Sequence, residues 1–143
     1  MRSLLIILFL FFLSDGMYAQ HICFQVDSVR IISLPRQLKT KLSLIDYDVL
    51  NFEPASLKKD TIIRNVIELN ELINVLGKID DYETLGSSID TRMVICIFID
   101  KDFVLKVSVD YLGNFKYLGD IYFREKEMLD WIRRNVSTWK DIR

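Results

Sequence analysis

The chain has 143 residues, 19 basic and 20 acidic side chains and a formal charge of −1; this near-neutrality disfavours nucleic acid and anionic membrane surfaces as partners. Half of the residues are hydrophobic, enough to build one sizeable core. A single histidine and two cysteines leave no paired spacing for zinc and little with which to build a nucleophile beside a base.

Arg2 precedes ten unbroken apolar residues, 4–13, and these loosen into Ser14-Asp15-Gly16-Met17-Tyr18-Ala19. A short basic start, an apolar run and a tail containing small residues form a secretory signal peptide. Asp15 closes the run well short of the roughly 20 residues that a membrane-spanning helix needs. Cleavage is therefore expected after Ala19, with Gly16 as the alternative, and no stable membrane anchor should remain. Gln20-His21-Ile22 ahead of Cys23 is the wrong chemistry for lipoprotein processing. The expectation is a signal peptide over 1–19 and a single exported domain over 20–143, periplasmic or secreted. Cys23 and Cys96 are candidates for a disulfide in an oxidising compartment. The alternative is that Cys96, inside the apolar run 93–99, is a small core residue.

Beyond the leader the only alanine is Ala55, and a core of Ile, Leu, Val and aromatics favours pleated sheet. Residues 24–32 alternate apolar and polar with a phase change at Asp27-Ser28, which predicts a first strand carrying a bulge. Leu34-Pro35 ends it. Residues 39–44 suggest an edge-like strand with outward lysines, and Ser43 could cap one helical turn through Asp46, Tyr47 and Leu50. Phe52-Glu53-Pro54 is the next break, and residues 60–64 fit a short strand or an early helix start. A helix then follows, capped by Asn65, with Leu69, Leu72, Ile73, Leu76 and Ile79 at helical spacing and Gly77 near its end.

Residues 80–88 read as a polar connection. The strongest strand covers 92–99, apolar on both faces as a central strand would be. Asp100-Lys101-Asp102 turns the chain into a strand in which Phe103, Leu105, Val107 and Val109 oppose Val104, Lys106, Ser108 and Asp110. Gly113-Asn114 predicts a hairpin, and residues 115–118 and 121–123 continue the meander across a bend at Gly119-Asp120. A final helix opens at Glu125 and Glu127 and carries Met128, Leu129, Ile132, Val136 and Trp139 as its stripe. The fold class is α+β: a mostly antiparallel sheet of about five or six strands, with two main helices packed on one face.

The chemistry-bearing residues are sparse. His21 lies too near the new terminus to hold catalytic geometry. Asp100 with Asp102, and Asp80-Asp81 with Glu83, read as polar turn residues, because the full calcium-loop pattern is missing. Asn135-Val136-Ser137 matches a glycosylation acceptor but falls inside the last helix. No catalytic, metal or cofactor set emerges, and no cofactor is expected. The one feature with a binding flavour is aromatic: Tyr111, Phe115, Tyr117, Tyr122, Trp131 and Trp139 crowd the last third beside Arg133, Arg134 and Lys140. Most should fill the core. Tyr117 and Trp131, the latter at the edge of the stripe and partly exposed, are the candidate partner contacts.

The reading that follows is an exported, non-catalytic protein that binds another macromolecule, as an inhibitor, an immunity-type protector or an envelope accessory protein. The alternative is an envelope structural or assembly component working through a sheet edge or the last helix. A small carboxylate-dependent hydrolase is the third reading, and would need several polar side chains converging in one deep pocket.

Overall fold

Among the described residues, seven strands pair, each antiparallel to its neighbours, into one sheet. In chain order they are β1 (Val26–Ser33), β2 (Lys59–Ile63), β3 (Thr84–Leu85), β4 (Thr91–Ile99), β5 (Asp102–Asp110), β6 (Phe115–Tyr117) and β7 (Asp120–Tyr122). Their order across the sheet is β2-β1-β4-β5-β6-β7-β3. Among the described residues three α-helices accompany them, α1 (Asp46–Leu50), α2 (Val66–Gly77) and α3 (Lys126–Asn135). The computed structural model describes residues 26–86 and 88–141. The expected leader and cleavage site, His21 and Cys23 lie outside them, and with Cys23 the candidate bridge to Cys96.

The α+β class and the antiparallel sheet agree with the sequence reading, but the strand list needs two corrections. Residues 39–44 form bends, not an edge strand. Their polar groups find scattered side-chain and backbone partners instead of a ladder. The Thr40 hydroxyl donates to the Leu42 carbonyl at 2.7 Å, and Leu44 N donates to Asp90 Oδ1 at 2.7 Å. The buried Arg92 guanidinium reaches back to Thr40 Oγ1 at 3.1 Å while pairing with Asp90 at 2.6 Å. The seventh strand is β3, inside the expected polar connection, where Thr84 and Leu85 pair with Tyr122 and Ile121 of β7. Two residues are too few to show a period.

β4 lies between β1 and β5 and is buried on both faces. Met93, Ile95 and Ile97 join Val29, Ile31, Val107, Val109 and Phe115 in the larger core, which α2 closes with Leu69, Leu72, Val75 and Leu76 and α3 with Met128, Leu129, Trp131 and Ile132. The two main helices thus share one face of the sheet. On the other face Val94 meets Ile32, Leu34 and Val49 in a smaller core, with Leu38, Leu44, Leu50, Phe52 and Cys96 packed at its sides. The predicted bulge in β1 is present between Val26 and Ser28.

Local chemistry explains the helix ends. Asn65 Oδ1 accepts from Ile67 N at 2.9 Å and opens α2 as expected. In α1 the cap position is Ile45, not Ser43, because the Asp48 carboxylate accepts from Ile45 N at 2.9 Å. α3 ends at Asn135, so Trp139 belongs to a following 3-10 turn, Ser137–Trp139. It is still fully buried, its indole donating to the Leu34 carbonyl at 3.1 Å. The bend after β6 centres on Leu118 and Gly119, with φ of 50° and 101°, one residue earlier than predicted. The Gly113-Asn114 hairpin is held by Asp110, whose Oδ1 accepts from Leu112 N at 2.8 Å and Asn114 N at 2.9 Å.

Candidate functional site

Trp131 is not a surface contact. Its ring is fully buried, and its indole donates to the Glu68 carbonyl at 2.8 Å, tying α3 to α2. The sequence placed it at the rim of a stripe, but α2 packs against that flank and extends the buried arc. Such a bond satisfies an indole that would otherwise be costly to bury.

Tyr117 is half-buried and lies on the wall of an apolar groove. The groove forms where the helix face of the sheet continues past the end of α2. Val26 of β1, Ile97 and Ile99 of β4, and Leu105 of β5 line it from the sheet, and Ile73 and Leu76 from the helix. Its volume is about 600 Å³, within the roughly 300–1,000 Å³ range of ligand-holding clefts. The polar groups around it are few. Asn74 and Lys78 stand at the helix end, and the Lys78 ammonium is occupied by Glu127 of α3 at 2.8 Å. Burial pushes the Tyr117 phenol above its ordinary pKa, with Tyr122 adding to it, which keeps the ring uncharged near neutrality.

A bulge shapes the lip of this groove. Ile97 pairs with Leu105 but Phe98 pairs with Phe103, so Val104 is the extra residue in β5. It is 52% exposed and lines the groove. The strict alternation expected across 103–110 therefore breaks at its first residues. The unbroken apolar triplet Phe103-Val104-Leu105 is the sequence signal that marks it. Nothing in the sequence alone singles out Val26, Ile73 or Leu76 as groove residues, because each also fits an ordinary core stripe.

The opposite face of the sheet carries a polar cluster. The Asp46 carboxylate at the start of α1 pairs with the Lys106 ammonium of β5 at 2.6 Å and accepts from the Thr91 hydroxyl at 3.3 Å. Burial raises the Asp46 pKa, but hydrogen bonds from Lys106, Ser108 and Thr91 together with the charge of Lys106 outweigh it, and the carboxyl ends below its ordinary value. A carboxylate engaged by three donors is held as an anion and is poorly placed to act as a base. Cys96 is half-buried on the same face, directly across the ladder from Arg30 on one side and Lys106 on the other. Burial pushes its thiol up despite both cations, which keeps it in the protonated, poorly nucleophilic form.

Among the described residues, no group of three or more His, Cys, Asp or Glu is placed to hold a metal ion. No helix among them is long and apolar enough to cross a membrane. Neither a known protein family, nor a curated protein, nor a solved structure matches the chain.

Proposed function

We propose that this chain is an exported, non-catalytic binding protein that holds an apolar element of another protein in the groove beyond the end of α2. The export half of this reading is supported by the leader, with its basic Arg2 and the apolar run 4–13. The binding half rests on one observation, the groove of about 600 Å³ lined by Val26, Ile73, Leu76, Ile97, Val104 and Tyr117. Covering apolar surface of this kind gains about 25 cal/mol per Å² removed from water. Tyrosine is among the residues that carry contact energy where proteins meet. Val104 at the lip leaves the groove open from the side, which suits a protruding side chain of a macromolecule better than an enclosed small molecule. An inhibitor, an immunity-type protector or an envelope accessory protein would each use the groove in this way.

The test places a photoreactive amino acid at position 104, and at exposed position 140 as the comparison, in the exporting cell. Position 104 should capture one discrete protein that position 140 does not. Capture should fall about tenfold when Tyr117→Ala removes the ring. Equal capture at both positions, or capture indifferent to Tyr117→Ala in a variant that keeps its melting temperature, would refute the reading.

A further inference from the structure

β2 closes one side of the sheet, and no strand among the described residues covers its outer side. It pairs with β1 in unbroken register and contains neither a proline nor a bulge. Natural sheets blunt such an edge by proline, bulges, short strands or charges; β2 has only the last two, a length of 5 residues and the charges of Lys59 and Asp60. The apolar side chains beside it stand in water: Ile62 is 54% exposed, and Val66 and Ile67, opening α2, are 67% and 68% exposed. We propose that this edge pairs with the same edge of a second copy of the chain, antiparallel, about a twofold axis through Ile62. The result is a sheet continuous through both copies. This inference does not rest on the groove.

The sequence of the edge selects the register. Residues directly opposite in an antiparallel pair share a face of the sheet. A twofold axis perpendicular to the sheet leaves the faces unchanged, so it must pass through a residue and not between two. Through Lys59 it would set two lysines against each other. Through Asp60 it would oppose two carboxylates. Through Thr61 it would place Lys58 opposite Arg64 at both ends. Through Ile63 it would carry the pairing into Val66, the first residue of α2.

Through Ile62 no like charges are opposed. The two Ile62 side chains meet at the axis, and Asp60 faces Arg64 of the second copy on either side of them. Arg64 is exposed and follows β2 directly, so this register extends the pairing one residue past Ile63. Asp60 already takes Arg30 of its neighbouring strand through Nε at 3.1 Å and Nη2 at 2.6 Å. A carboxylate has acceptor capacity left for a second guanidinium. The charges of the edge thus penalise the registers centred on Lys59, Asp60 and Thr61 and reward this one.

Sedimentation of the purified protein tests the pairing. At about 100 µM the chain should sediment as a dimer, and Ile62→Lys, which changes an exposed side chain, should leave it a folded monomer. Arg64→Glu should raise the dissociation constant about tenfold, since it turns two attractive oppositions repulsive. The register has its own readout in a Cys23→Ser background. Ile62→Cys should cross-link copies on oxidation and Thr61→Cys should not, because only the axial residue faces itself within the roughly 4.4–6.8 Å that a disulfide spans. A monomer at that concentration, a dimer that survives Ile62→Lys, or cross-linking through Thr61→Cys in place of Ile62→Cys would overturn the proposal.

Discussion

At Asp46 two opposing influences meet. Burial disfavours the carboxylate, while Lys106, Ser108 and Thr91 donate to it, and the donors prevail. Asp60 is likewise held below its ordinary range, first by the hydrogen bond from Arg30. Its side chain is 45% exposed against 21% for Asp46, so solvent screens the Asp60 pair more strongly. A carboxyl whose folded pKa is depressed stabilises the fold above its unfolded value and loses that contribution as pH falls through the folded one. Thermal melts across an acid series should therefore show wild-type stability falling below about pH 4. Asp46→Asn should be less stable near neutrality by about 1 kcal/mol, and its acid loss should be correspondingly shallower. Parallel acid profiles for the two proteins would rule Asp46 out as a contributor.

The helices owe their limits to single side chains and their place to whole faces. In α2 the Asn65 cap satisfies one of the backbone donors left open at a helix start. Asn65→Ala should cost about 1 kcal/mol in urea unfolding, and Asn65→Asp should restore most of it. An alanine variant as stable as the parent would mean that water caps the helix equally well. In α3 the apolar stripe is widened by Trp131, whose burial follows from its contact with α2. No periodicity within α3 contains that contact. The Val104 bulge stands between these cases: its apolar triplet is local, but its effect, opening a lip on the groove, depends on where α2 stops.

Across the whole molecule the sheet order grades protection from centre to edges. β4 is flanked by β1 and β5, with helices over one face and the α1 segment over the other. β3 and β2 are the outer strands. Amide exchange should be slowest in β4 and the adjoining halves of β1 and β5, and faster in β3 and in residues 36–45. Faster exchange in β4 than in β7 would contradict the packing described above. The same layout separates the two proposed surfaces, since the groove lies at the Val26 end of β1 and β2 pairs with β1 only from Val29 onward.

Sequence alone determined the features that short-range chemistry controls: the alternation of β1 and of the later part of β5, the two-faced apolar run of β4, the Asp27-Ser28 bulge, the Asn65 cap, the Gly113-Asn114 turn and the two amphipathic helices. Each is written within a few residues, where pleat, helical spacing and left-handed backbone impose their own patterns. Tertiary structure decided the rest. The two-residue strand β3 exists only because β7 lies beside it, and residues 39–44 bend because Asp90 and Arg92, distant in sequence, supply their partners. Trp131 is buried by a neighbouring helix, while Tyr117 is left on an open wall by that helix's end. Both aromatics looked alike in the chain. What separates them is the direction from which other elements approach, a property of packing that no local pattern encodes.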